Sequence, residues 1–180
     1  METAYRTMSD GASVAVYTWL PEQKPKAVLH IVHGMAEHAL RYDDFAKTAC
    51  KRGFAVVASD HRGHGKTGAK SGLMGYLADG DGFARVVEDQ KEINAEIKKQ
   101  YPGLPIVIIG HSFGSFVTQE YIERYGATVK RYDLMNKLLN GLKTQPYGRR
   151  HIINLYQYQD FQETDGLFPC AMETHWSVRD

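Results

Sequence analysis

The apolar positions of this chain fall into short runs separated by stretches of helical period. Ala27–Val32 and Phe54–Ser59 are continuous, partly β-branched apolar stretches bounded by Pro25, Gly34, Gly53 and Asp60. That pattern suits strands buried on both faces of a parallel sheet. Ile106–Ile109 is a third such run, and Ala12–Trp19 alternates weakly, as an early antiparallel strand does. Between the runs the period lengthens. Tyr42, Phe45, Ala46, Ala49 and Cys50 line one face of a helix over Tyr42–Arg52, with Gly53 as its C-terminal cap. Phe83, Val86, Val87, Ile93 and Ile97 mark a longer helix, Phe83–Gln100, which Pro102 and Pro105 end. Phe116, Val117, Tyr121 and Tyr125 share a face of a third helix over Ser115–Tyr125. Gly63–Gly82 holds seven glycines and reads as a long exposed loop. The alternation predicts a right-handed parallel α/β arrangement, with strand 106–109 central between 27–32 and 54–59.

Bulk composition narrows the function classes. With 180 residues, 43% of them hydrophobic and 24% charged, the chain is an ordinary globular domain with a substantial core. Its 22 basic and 21 acidic residues leave a net charge of +1, which carries no footprint for nucleic acid or an anionic membrane. No apolar stretch approaches the ~20 residues of a membrane span. Met1–Arg6 lacks both a basic start and an apolar core, so no secretory signal is expected. Cys50 and Cys170 are too few for a disulfide framework, and a cytoplasmic setting is the expectation. Cys50 sits on an apolar helical face, where packing rather than reactivity is expected.

Three motifs sit where those strands end. Gly110-His111-Ser112-Phe113-Gly114 joins the 106–109 run to the following helix. Strand, sharp turn and helix make G-x-S-x-G a nucleophile elbow, with Ser112 strained and raised above the sheet edge. The glycines are required because side chains at 110 and 114 would strike the neighbouring strand and helix. His33-Gly34-Met35-Ala36-Glu37-His38 follows strand 27–32, and Asp60-His61-Arg62-Gly63-His64-Gly65 follows strand 54–59. Ligands of an open parallel sheet bind beyond the carboxyl ends of its strands. By position, the backbone N–H groups of Met35 and Phe113 form the oxyanion hole. Asp60, His61 and His64 give no closed ligand set for a metal, so a structural turn is favoured, with Asp60 and Arg62 bonding loop backbone. His33 and His111 read as turn-fixing or pocket-lining residues rather than general bases, since neither follows the serine.

HGMAEH, DHRGHGKT and GHSFGS, in this order and at these intervals, resemble the monoacylglycerol lipase and lysophospholipase branch of the α/β-hydrolase fold, also labelled the serine aminopeptidase family. The resemblance covers roughly Tyr5 to Gly126. It implies a mostly parallel sheet flanked by helices, Ser112 as nucleophile, and Met35 and Phe113 N–H groups as oxyanion donors. It also implies ester cleavage through an acyl-enzyme that water resolves, with no cofactor and no metal.

Beyond Gly126 the family pattern fails. The fold class is therefore an α/β-hydrolase incomplete on its C-terminal side. Residues 1–126 form the core with the elbow, and residues 127–180 form a divergent tail with a lid-like helical patch at Leu134, Leu138, Leu139 and Leu142. Asp133 with His151, or Asp160 or Asp165 with His175, has the chain order of a triad, but no parallel strand precedes any of them, so the triad acid and histidine stay open. The reading is a serine hydrolase of carboxylic esters (monoacylglycerol, lysophospholipid or a similar acyl ester) whose partner is that small-molecule substrate. The alternative is a catalytically incompetent hydrolase fragment or a non-enzymatic binding module. Oligomeric state is open.

Overall fold

Five strands form one sheet in the computed structural model, which describes residues 1–125. In chain order they are β1 (Glu2–Thr7), β2 (Ser13–Trp19), β3 (Ala27–Val32), β4 (Phe54–Ser59) and β5 (Ile106–Gly110). Their spatial order is β1-β2-β4-β3-β5. β1 pairs antiparallel with β2 and β2 with β4, whereas β4, β3 and β5 run parallel. The helices are α1 (Asp43–Lys51), α2 (Gly65–Ser71), α3 (Gly82–Gln100) and α4 (Phe113–Tyr125), and a 3-10 turn, Ala39–Tyr42, leads into α1.

β3 and β4 are buried at every position, as continuous apolar runs require. On one face Leu29, Ile31, Val56, Val107 and Ile109 pack with Phe45, Ala46 and Ala49 of α1. On the other, Val28, Val57 and Ile106 meet Ile93 and Ile97 of α3, while Val32 meets Val86, Val87, Val117 and Tyr121. Helices therefore cover both faces, and Cys50 is a half-buried member of the α1 side.

The expected strand order needs correction. β3, not β5, stands between its parallel neighbours: Val28 pairs with both Ala55 and Ile106. The α3 crossover carries the chain from β4 past β3 to its free side, and β5 has no second strand neighbour among the described residues. Nor is 63–82 all loop, because α2 lies inside it. Asp60 builds that helix. Its carboxylate accepts from Lys66 N–H at 2.7 Å, while its carbonyl accepts from the Thr67 hydroxyl at 2.9 Å. Phe116 also departs from its expected face, being 53% exposed while Val117 and Tyr121 are buried. The 127–180 tail, with Asp133, His151, Asp160, Asp165, Cys170 and His175, lies outside the described residues.

Candidate active site

β3, β4 and β5 deliver their three motifs to the same edge of the sheet. At the end of β5, Ser112 adopts φ 50, one of two non-glycine residues with positive φ among those described. An L side chain is rarely held in that left-handed region without tertiary support. The support is visible in backbone bonds. His111 N–H donates to Val32 carbonyl at 3.0 Å, Gly114 N–H to His111 carbonyl at 2.8 Å, and Ser115 N–H to Ser112 carbonyl at 2.8 Å. A Cβ on Gly114 would stand 2.0 Å from the Val32 carbonyl oxygen, and one on Gly110 would stand 2.5 Å from the Gly114 carbonyl oxygen. The bare backbone at 110 and 114 is what lets α4 start directly against β3 and β5. Ser112 thus precedes the positive end of a 13-residue helix.

The turn after β3 approaches from the side. A Cβ on Gly34 would lie 3.2 Å from the Cβ of Ser112. Ala36 holds the second positive φ, 57°, and Met35 between them is half exposed. Neither Met35 N–H nor Phe113 N–H donates to an acceptor among the described residues. The turn is fixed instead through its other groups. His33 Nδ1 donates to the Gly34 carbonyl at 2.7 Å, and its Nε2 accepts from His61 N–H at 2.9 Å. His61 Nε2 donates back to the His33 carbonyl at 2.9 Å, and the two rings lie 3.9 Å apart. Burial holds His33 down to about 4 and His61 well below the ordinary histidine value, so both rings are neutral. His33 is accordingly a turn-fixing residue.

Asp60 bonds loop backbone, accepting from Ala39 and Lys66 N–H, and also takes the Tyr17 hydroxyl. Arg62 does not bond loop backbone as expected. Its guanidinium pairs with Asp10 at 2.6 Å and Asp89 at 2.7 Å, because a nearly buried cation needs carboxylate partners. His64 Nδ1 is directed at the Arg62 carbonyl, 2.8 Å away. No group of three His, Cys, Asp or Glu residues among those described could hold a metal ion.

Sequence reasoning passed over Glu37. Its Oε1 accepts from His111 Nδ1 and the Tyr42 hydroxyl, each at 2.8 Å, and from Gly34 N–H; its Oε2 accepts from Arg41 at 2.6 Å. A buried glutamate three residues after the motif glycine was the available signal.

The family model described as Serine aminopeptidase, S33, matches residues 23–139. The chain belongs to that family. Among solved structures this member resembles a thermostable carboxyl esterase from Bacillus coagulans, with 31% identity and a TM-score of 0.68. That likeness covers 77% of this chain and 48% of the esterase. A lipase in its open form is 26% identical, with a TM-score of 0.65, over 81% of this chain and 53% of the lipase. An esterase from Exiguobacterium antarcticum, at 16% identity and TM-score 0.56, covers 72% and 42% and shares the fold. The fold of this S33 member is the α/β-hydrolase fold, and the chain spans about half the length of those two more similar structures. A separate likeness joins 57 of its residues to thymidylate synthase of Lactococcus lactis subsp. lactis at 60% identity. That stretch is 32% of this chain and 20% of the synthase; a Streptococcus pneumoniae thymidylate synthase matches to the same extent.

Proposed function

We propose that this site hydrolyses carboxylic esters with Ser112 as nucleophile. The observation that carries the reading is the strained Ser112 turn, φ 50, with the glycine turn of β3 packed against it. Ser112 Oγ attacks the ester carbonyl carbon, and the charge that develops on the carbonyl oxygen is taken by the backbone N–H groups of Met35 and Phe113. The carbonyl then re-forms, the alcohol leaves with a proton, and an acyl-serine remains. Water replaces the serine to release the acid. The likeness to an esterase and a lipase supports this chemistry. Exposed Met35, on the turn after β3, and exposed Phe116, at the start of α4, favour an acyl ester with an apolar chain, such as a monoacylglycerol or lysophospholipid. Among the described residues no ring nitrogen bonds to the Ser112 hydroxyl.

The test is a fluorophosphonate probe on the full chain, with the adduct located by mass spectrometry. Phosphonylation at Ser112 that disappears in Ser112→Ala supports the reading. A folded chain that takes no label favours the alternative, a hydrolase-like module without catalysis.

The likeness to thymidylate synthases suggests a second component of the chain. Residues 1–125 hold the hydrolase sheet, and the family match ends at residue 139, past the Gly126 where the motif pattern was expected to fail. We infer that the synthase-like stretch lies in the C-terminal third. It spans a fifth of those enzymes, so thymidylate synthesis is not part of the proposal. Aligning residues 121–180 alone with the synthases tests the placement: loss of the likeness there overturns it.

A further inference from the structure

We propose that Glu37 is a positioning residue for the Ser112 reaction, its carboxylate clamping the Met35 turn to the nucleophile elbow. The inference rests on the ester-hydrolase reading above. Glu37 bonds Gly34, Arg41, Tyr42 and His111 rather than Ser112, and it acts through those neighbours.

One oxygen joins the two halves of the site. Gly34, on the β3 turn, and His111, next to the nucleophile, both donate to Oε1, and Tyr42 at the head of α1 donates to it as well. Arg41 anchors Oε2. The Glu37 side chain is 5% exposed, and its burial would raise the carboxyl. The bonds from His111, Gly34 and Tyr42 outweigh that and hold it down to about 2, so it is a carboxylate that only accepts.

Two consequences follow for geometry. An acceptor-only partner requires His111 Nδ1 to carry the proton, which fixes the ring's tautomer and its plane beside Ser112. Gly34 N–H is taken up by the clamp, whereas Met35 N–H donates to no acceptor among the described residues, so Met35 supplies the donor of the turn. The turn also contains Ala36 at φ 57, a conformation that relaxes unless its surroundings hold it. A shift of even 1 Å at Met35 takes its N–H out of reach of an oxyanion.

The experiment uses the full chain, uniformly 15N-labelled, as wild type, Glu37→Gln and Glu37→Ala. Gln keeps an oxygen for Gly34, Tyr42 and His111; Ala keeps nothing. Fluorophosphonate labelling of Ser112 should slow by about 100-fold in Glu37→Ala, the scale of losing one oxyanion donor, and by no more than about threefold in Glu37→Gln. In parallel, the Met35 amide and His111 ring-nitrogen resonances should move in Glu37→Ala and return toward wild type in Glu37→Gln, an effect that lost stability alone does not produce. A folded Glu37→Ala that labels at the wild-type rate overturns the proposal, as do unmoved Met35 and His111 resonances. If wild type itself takes no label, the ester-hydrolase reading falls and the resonances alone decide whether the clamp exists. If Glu37→Ala does not fold, Glu37→Asp, one methylene too short to span both partners, takes its place with the same readouts.

Discussion

Gly34 and Ser112 sit so close that a Cβ on the glycine would lie 3.2 Å from the Cβ of the serine. The same Cβ would meet Glu37 Oε1 at 2.8 Å and His111 Nδ1 at 3.0 Å, so the β3 turn has room for hydrogen alone. Gly34→Ala should destabilise the chain by about 1–3 kcal/mol through overpacking. It should also slow Ser112 phosphonylation by at least about tenfold, because the turn can yield only by moving Met35. Urea unfolding and labelling rates measure the two effects. A variant with wild-type values in both would mean that the turn is not tightly seated.

Ser112 keeps a side chain where glycine would be at ease. Ser112→Ala retains a Cβ at φ 50, whereas Ser112→Gly removes the steric cause of the strain. Ser112→Gly is expected to unfold later than Ser112→Ala, by about 1 kcal/mol, with neither variant taking label. Equal stability of the two would show that the elbow stores no strain at this residue.

Three buried histidines make the fold sensitive to mild acid. Burial lowers His30 and His33 from 6.5 to about 4, and holds His61 well below 6.5. Folded, these rings stay neutral; unfolded, they protonate near pH 6.5. As pH falls from about 6.5 toward 4, the unfolded chain binds protons that the folded chain cannot, so stability falls through that window by up to about 1.4 kcal/mol per residue for each unit of pKa difference. Glu37 adds its own loss only below its ordinary 4.5. Urea midpoints should therefore drop steadily between pH 7 and pH 5, and His30→Gln should show a shallower slope. A flat profile contradicts neutral burial.

Arg62 ties together three elements far apart in the chain. Its guanidinium bonds Asp10, between β1 and β2, and Asp89 on α3, whose carboxylate is 2% exposed. Burial pushes the Asp89 carboxyl up, opposed by Arg62 and then Arg85. Arg62→Ala leaves Asp89 with Arg85 alone at 3.2 Å and should cost about 3 kcal/mol. Arg62→Lys should recover only part of this, since an ammonium cannot bond both carboxylates in fork geometry. Chemical unfolding of the two variants checks the ranking, and an Arg62→Ala chain as stable as wild type would remove the network from the fold's stability.

The elements that local pattern dictates were readable from sequence. β3 and β4 occupy the apolar runs residue for residue, and α3 begins one residue before its expected start. A strand buried on both faces and an amphipathic helix each write their surroundings into consecutive residues. The elbow was legible for a related reason: its glycines answer to contacts that any strand-turn-helix of this tightness must make. β1, by contrast, is a polar and largely exposed edge strand, visible only once β2 is present to pair with it. α2 contains Gly65 and Gly68, poor helix formers. It folds because Asp60 receives its first turn and because Gly68 must pass within contact of Gly63.

By itself the sequence determined which segments are strands and helices of the parallel core, and that Ser112 stands in a tight strand-turn-helix. Both follow from periodicity and backbone sterics over a few neighbouring residues. Only the tertiary structure decided that β3 separates β4 from β5, that Arg62 serves Asp10 and Asp89, and that Glu37, beside Gly34, bonds His111 across 74 positions. Each depends on which side of a neighbour the chain passes and on which polar groups become enclosed together. Such pairings arise when burial removes water as the competing partner, and nothing in the local pattern of residues records them.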